Sequence, residues 1–370
     1  MNEIHLGIRT EPLEGGGFSK GRCPMYKRLW YVLCLFAYLL VPLGANTAKA
    51  LELTVMTRNL YVGTDLENPL SLSRSELPIA VAEAWATFQK TNYVVRMAAI
   101  AEEICSASPH LVGLQEVMLL RSQSPGDSLS LDASKPADHL EADFLETLLA
   151  DLDAECEPLR YRVVATVQDV DVEMPMANPY SESGYDDLRL TDHEVILARG
   201  DVGTSNVDFG TYAAALHYKT ATIPRGWVAV DAEINGVTVR FASTHLESVS
   251  TVRHAQGVEL IRILAQESRP LILLGDFNTK APGNLTYQFF LGAGYTDWPG
   301  PVPGDTCCQT GDLNEPVSQL DERIDIVFTR NIATTVGESI LIGVTPAAQQ
   351  PFWPSDHAGV VTTLEFAPAP

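Results

Sequence analysis

The stretch Leu271-Ile-Leu-Leu-Gly-Asp-Phe-Asn-Thr279 organises the reading of this chain. Four aliphatic residues run into Gly275, and Asp276 and Asn278 follow two positions apart. A short apolar run closed by glycine fits a strand buried on both faces. Side chains two apart on an extended chain point the same way, so Asp276 and Asn278 project together from the strand end. A carboxylate beside a neutral amide suits a bound cation or an activated water, but the same pair could simply begin a turn. Partners elsewhere in the chain decide between the two.

The chain is long enough for one large domain or two ordinary ones, with 370 residues, 46% of them hydrophobic and 19% charged. Its formal charge is −22, yet the first fifty residues hold six Lys or Arg against three Asp or Glu. The acidity therefore belongs to the remainder, and it argues against tight nonspecific binding of polyanions. Lys27 and Arg28 precede an apolar run from Leu29 to Leu43, and Ala48-Lys49-Ala50 is a small-x-small site. That layout predicts a secretory signal peptide with a start at Met25 and cleavage after Ala50, and so a secreted or periplasmic protein; the rival reading, a membrane anchor, is disfavoured by Pro42 and by the shortness of the run. Four cysteines follow the leader: Cys105, Cys156, Cys307 and Cys308. Cys105 with Cys156 is a reasonable disulfide, whereas adjacent cysteines seldom pair.

Candidate site residues lie at the ends of the expected strands. Leu51–Asn59 alternates and ends on Arg58 and Asn59; His110–Val117 is an apolar strand carrying Glu116, a costly placement for an unpartnered charge. Helical spacing covers residues 78–106 and 138–152, and 168–190 reads as an exposed loop ahead of Asp192-His193-Glu194. Trp227–Glu247 is a hairpin around Asn235-Gly236 that ends on His245. Leu320–Phe328 is a strand with Arg323 and Asp325 on one face, and Ser355-Asp356-His357 opens the last strand. Strands and helices alternate without repeat or linker, so the class is α/β or α+β in one domain spanning residues 51–370.

Thr57-Arg-Asn59, Leu114-Gln-Glu116, Ser243-Thr-His245-Leu246, Gly275-Asp-Phe-Asn278, Arg323-Ile-Asp325 and Ser355-Asp-His357 occur in an order that resembles the endonuclease/exonuclease/phosphatase superfamily. That superfamily includes DNase I-like nucleases, abasic-site endonucleases, bacterial sphingomyelinases and inositol-polyphosphate 5-phosphatases. The resemblance implies a four-layer sandwich of two mixed β-sheets flanked by helices. It also implies hydrolysis of phosphate esters by in-line attack of water with Mg²⁺, or Mn²⁺ or Ca²⁺ in its place. Carried onto this chain, it makes Glu116 the central metal ligand, helped by Asn59 and Asp356. Asp276 and Asn278 would hold the attacking water and a phosphate oxygen, or a second ion. His357 would be a general acid/base oriented by Asp325. His245 would stand over the phosphate with Asp192 as its carboxylate partner and Glu194 as the alternative, and Arg58 would be a further phosphate contact.

The substrate class stays open at this level. A nuclease needs basic or stacking side chains around its cleft, for which Arg58, Tyr61, Arg121, Lys219, Arg253 and Arg323 are candidates. A phospholipid-cleaving enzyme needs an exposed apolar hairpin, which Phe209–Trp227 could supply or could instead bury as a core strand pair. The lean is to a monomeric phosphodiesterase with a nuclease-like substrate; a phospholipid head group, a phosphomonoester and a non-catalytic binding role are the alternatives.

Overall fold

Leu271 and Leu273 lie in one core of the protein and Ile272 and Leu274 in another. The run is thus buried on both faces, as its composition requires, in the middle of a layered sandwich. The computed structural model describes residues 51–366 apart from 66, 131–134, 219–220, 300–303 and 333. The leader with its start at Met25 and cleavage after Ala50 lies outside the described residues, and so does Lys219.

The elements begin with β1 (Leu51–Asn59), α1 (Glu67–Ser71), α2 (Leu77–Thr91), α3 (Tyr93–Ala107), β2 (Leu111–Gln115), β3 (Leu119–Gln123), β4 (His139–Asp143), α4 (Phe144–Glu155), β5 (Arg162–Ala177) and β6 (Tyr185–Ala198). They continue with β7 (Gly203–Thr211), a small ribbon of β8 (Leu216–His217) and β9 (Thr222–Ile223), then β10 (Gly226–Ile234), β11 (Val237–His245), α5 (Ser250–Ile263) and β12 (Leu271–Asp276). The chain closes with α6 (Leu285–Gly292), β13 (Thr296–Asp297), β14 (Asp325–Arg330), β15 (Thr334–Ile342) and β16 (Gly359–Phe366).

One sheet runs β15-β16-β1-β2-β6-β3-β4 with β5 also on β6; the other runs β13-β14-β12-β11-β10-β7. Three cores separate four layers. Leu53, Val55, Leu111 and Ile196 of the first sheet meet Val230, Phe241, Ile272 and Leu274 of the second. Met56, Val112 and Leu197 turn outward onto α2, α3 and α4, and Leu271, Leu273 and Phe328 turn outward onto α5 and α6. The expected four-layer sandwich of mixed sheets is the observed fold. Within it, β1–β2 and β11–β12 are the parallel pairs, so each sheet sends two strand ends to the same edge.

Local departures from the sequence reading have physical causes. The region read as an exposed loop up to Leu190 is a long hairpin of β5 and β6, whose turn is confined to residues 178–184. Its apolar residues pair across the strands, Val172 with Leu190 and Met174 with Leu188. The helix expected from residue 138 starts at Phe144, after β4, because the Asp143 carboxylate caps it by accepting from the Glu146 amide (2.9 Å). The strand expected from Leu320 starts at Asp325. Phe209–Trp227 is not one core strand pair. Phe209 is exposed on β7, and the chain then makes the β8–β9 ribbon before returning as β10. Cys105 and Cys156 are joined, tying α3 to the end of α4, and Cys307 and Cys308 are bonded to each other, contrary to the expectation for neighbours.

Gly275 is fixed by its neighbours. It pairs with Thr244 in the parallel register at φ +145°, and a Cβ there would overlap the Thr244 carbonyl oxygen. Gly275→Ala should therefore lower stability by roughly 2–3 kcal/mol, read as a reduced urea midpoint at unchanged slope. A midpoint equal to that of the parent would contradict this.

Candidate active site

The strand alternation delivers the site. Side chains facing the other sheet run Leu53, Val55, Thr57, Asn59 on β1, and Phe241, Ser243, His245 on β11. On β12 they run Ile272, Leu274, Asp276; on β14, Val327 back to Asp325; and on β6, Ala198, Ile196 and then Glu194 and Asp192. In each strand the apolar core positions are followed by polar ones at the same edge. Register aligns them, since Asn59 pairs with Gln115, His245 with Asp276 and Asp276 with Asp325. A buried chain of hydrogen bonds marks the border: Thr57 Oγ1 donates to Gln115 Oε1 (3.0 Å), and Gln115 Nε2 donates to Ser243 Oγ across the sheets (3.0 Å). Gly113 makes this approach possible, because a Cβ there would meet the Leu274 and Ser243 side chains.

Beyond that border lies a group of oxygen donors. Glu116 follows the end of β2 at φ 56°, a left-handed residue that breaks the alternation. Its carboxylate accepts from the Val62 amide (2.7 Å) and from Asn59 Nδ2 (3.1 Å). The Asn59 amide also donates to Asp276 Oδ2 (3.2 Å), and its Oδ1 accepts from the Tyr61 amide (2.9 Å). Asp356 completes the group. Burial, with Glu116 alongside, pushes its carboxyl up to about 7, and its Oδ1 is buried without a hydrogen-bond partner. Carboxylate and amide oxygens with an unused buried lone pair fit a hard divalent cation. Asp276, Asp325 and His357 also bring ligand atoms within 4.8 Å of one another, but His357 Nδ1 is committed to Asp325 Oδ2 at 2.8 Å.

The two histidines sit in opposite fields. Burial disfavours the His357 cation, but Asp325, Asp356 and Asp276 outweigh it and hold the imidazole well above its ordinary range. With Nδ1 donating to Asp325, Nε2 is left facing Asp276 (3.8 Å) and Asp356 (3.9 Å). His245 is driven well below its ordinary range by burial and by the Arg225 and His357 cations. Arg225 NH1 lies 3.2 Å from its Nδ1 and Asn278 Nδ2 lies 3.1 Å from its Nε2. A neutral imidazole offers one lone pair, so one of these two groups donates to it. Asn278 also donates to the Leu246 carbonyl (2.7 Å), and its own amide donates to Asp276 Oδ1 (2.8 Å). Burial, with Asp325 beside it, pushes Asp276 up to about 7.

Most residues singled out from the sequence converge here: Asn59, Glu116, His245, Asp276, Asn278, Asp325, Asp356 and His357. Two do not take the place assigned to them. Arg58 is fully buried on the opposite face of β1, where it pairs with Glu103 (3.0 Å) and donates to the His357 carbonyl. It braces the His357 loop and cannot touch a phosphate; alternation sends neighbours to opposite faces. Asp192 lines the site but meets His245 only through Arg225, 3.5 Å away; Glu194, 3.8 Å from His245 Nδ1, is the nearer carboxylate. Arg323 lines one cavity together with Asp325 and makes a two-point pair with Asp297. The residues missed are Arg225 and Glu247, whose Oε2 is 3.6 Å from Arg225 Nε. The signal existed: counting back from the Asn235-Gly236 turn brings Arg225 level with His245 and Leu246.

Because Arg225 depresses His245 and is faced by Asp192 and Glu247, Arg225→Met should raise the His245 imidazole titration midpoint in NMR. It should also cost about 3 kcal/mol by leaving buried carboxylates unpaired. A His245 midpoint that stays put would refute the electrostatic assignment.

Residues 86–357 match the model of the Endonuclease/Exonuclease/phosphatase family. No curated protein matches significantly in sequence. Among solved structures, an endonuclease/exonuclease/phosphatase family protein of Bacteroides thetaiotaomicron has 16% identity, a TM-score of 0.53, and coverage of 86% of this chain and 100% of its own. A family member from Leptotrichia buccalis has 19% identity, a TM-score of 0.52, and coverage of 85% and 100%. The Bacteroides thetaiotaomicron mannosyl-6-phosphatase has 16% identity, a TM-score of 0.50, and coverage of 85% and 100%. At these identities the likeness is one of fold.

Proposed function

The chain belongs to the endonuclease/exonuclease/phosphatase family, and from that premise we propose that it is an exported, Mg²⁺-dependent hydrolase that attacks a phosphate ester in line with water. The observation that carries this reading is the meeting of an all-oxygen donor group with the His357–Asp325 pair at one sandwich edge. Glu116, Asn59 and Asp356 would hold the ion, which supplies charge neutralisation on the phosphoryl oxygens; Mn²⁺ or Ca²⁺ could replace it. Asp276, with a carboxyl near 7, is matched to accepting a proton from water at neutral pH. Asn278 and Asn59 hold that carboxylate on both oxygens and fix its direction. His357, kept cationic by Asp325, presents Nε2–H to a phosphate oxygen or leaving group. Neutral His245 positions Asn278 and adds a polar contact without a second cation.

Of the side chains expected to grip nucleic acid, Arg58, Arg121 and Arg323 are engaged by Glu103, Asp171 and Asp297, and the Tyr61 hydroxyl donates to Gly311. Arg253 donates to the Ser248 carbonyl and remains within the field of Asp276. This supports a substrate presenting one phosphate to the site over a polyanion gripped along its length. Export rests on the leader-like residues 1–50 and is supported by the Cys105–Cys156 bond; a mature N terminus at Leu51 by mass spectrometry checks it.

Glu116→Gln and His357→Ala should each lower phosphoesterase kcat/KM by about a hundredfold or more while the proteins stay folded, and EDTA should abolish activity until Mg²⁺ is restored. Parental rates in both variants, or EDTA-resistant turnover, would overturn the assignment. Since the base form of Asp276 exists above its pKa, kcat/KM should rise along an acid limb and level near neutrality. A profile flat from about pH 5 to about pH 8 would exclude that role.

A further inference from the structure

We propose that the organic group of the phosphate ester is an apolar alkyl or aryl moiety, lodged in a cavity of about 320 Å³ that opens beside Glu116 and Asp356. The proposal rests on the phosphoesterase reading above and names the substrate class for it. The cavity continues the site along one strand. The face of β6 that carries Ala198 and Ile196 in the inter-sheet core, and then Glu194 and Asp192 at the site, goes on to Leu190 and Leu188. There the first sheet extends past the edge of the second. Charge gives way again to apolar surface.

Its walls are assembled for this purpose by three separate elements. A bulge in β5 between Gln168 and Asp171 switches which residues face this side, from Val167 to Val170, Val172 and Met174. Met118 rises from the start of β3, and Ile223 of the β8–β9 ribbon closes over the top. The ribbon packs Leu216 and Ile223 onto this cluster, which explains its excursion from the second sheet. The result is a cavity whose apolar lining, from Met118, Val170, Val172, Met174, Leu190 and Ile223, adjoins its charged groups, the usual anatomy of a small-molecule site.

Charge separates this occupant from the alternatives. Arg225 is the only basic side chain among the described lining residues, and it is already faced by Asp192 and Glu247. Asp65, Glu116 and Asp356 line the cavity as well, so its field is negative once the metal ligands are counted. A group carrying further phosphates, as in a nucleic acid strand or a polyphosphorylated inositol, would meet repulsion with no further basic side chain among the described lining residues to offset it. An uncharged apolar group gains by leaving water.

The test uses the mature protein at fixed Mg²⁺ and reads binding and turnover separately. Calorimetry with methyl-, butyl- and hexylphosphonate should show affinity rising by up to about fourfold per added methylene until the chamber fills. Val172→Phe, which fills the chamber away from the catalytic groups, should weaken hexylphosphonate about tenfold and leave methylphosphonate unchanged. A flat series in the wild-type protein, equal effects of Val172→Phe on both phosphonates, or tighter binding of a short single-stranded oligonucleotide than of hexylphosphonate would each overturn the proposal. Graded binding without hydrolysis of the matching phosphate esters would uphold the chamber and overturn the hydrolase reading alone.

Discussion

Carboxylates buried together are expensive unless something positive shares the space, and this cost organises the edge of the sandwich. Glu116, Asp276, Asp325 and Asp356 converge where two apolar sheets end, and burial pushes Asp276 and Asp356 up to about 7. The protein's own compensation is partial. His357 is held cationic by three of these acids, and Arg225 sits between Asp192 and Glu247. A divalent cation on Glu116, Asn59 and Asp356 would supply the rest, and the unused Asp356 lone pair is the direct structural sign of that demand. The same field pushes the two histidines in opposite directions, His357 toward the cation and His245 toward the neutral ring.

The scaffold meets this demand by repetition of a simple device. Each sheet contains one parallel strand pair, and each pair ends at the same edge. The inter-sheet faces are apolar until the last one or two positions, where polar side chains replace aliphatic ones without any change of strand direction. Gly275 and Gly113 let the backbones and sheets approach closely enough for Asn59 to reach Asp276. Arg96 and Arg58, both buried, hold the connecting loops from behind by donating to the carbonyls of Leu60, Pro354 and His357. The groups proposed for catalysis are therefore carried on strand ends and braced loops, an arrangement that suits electrostatic catalysis needing little reorganisation.

The cavity proposed to set specificity lies elsewhere, in the part of the first sheet that overhangs the second. A bulge in one strand and a short ribbon inserted between β7 and β10 build the chamber beside the edge that carries Glu116 and Asp356. Under the proposed reading, such features would alter the substrate without touching the metal or proton chemistry. Fold and reaction class can be shared by proteins whose substrates differ.

The sequence by itself determined the layered fold and the strand-end placement of Asn59, Glu116, His245, Asp276, Asp325 and His357. These depend on local periodicity and on short motifs whose order survives in one dimension. It misplaced Arg58 because adjacency was allowed to outweigh alternation, which sends Arg58 to Glu103 while Asn59 faces the site. It took residues 168–190 for a loop because the Pro, Asp and Gly content masked a strand pair whose apolar residues match only across the hairpin. Tertiary structure alone decided the rest: the insertion of Arg225 between Asp192 and His245, the opposite charge states of the two histidines, and the apolar chamber. Each depends on which groups are brought together from distant parts of the chain and on how much water is left between them, and neither quantity is written in the spacing of residues along it.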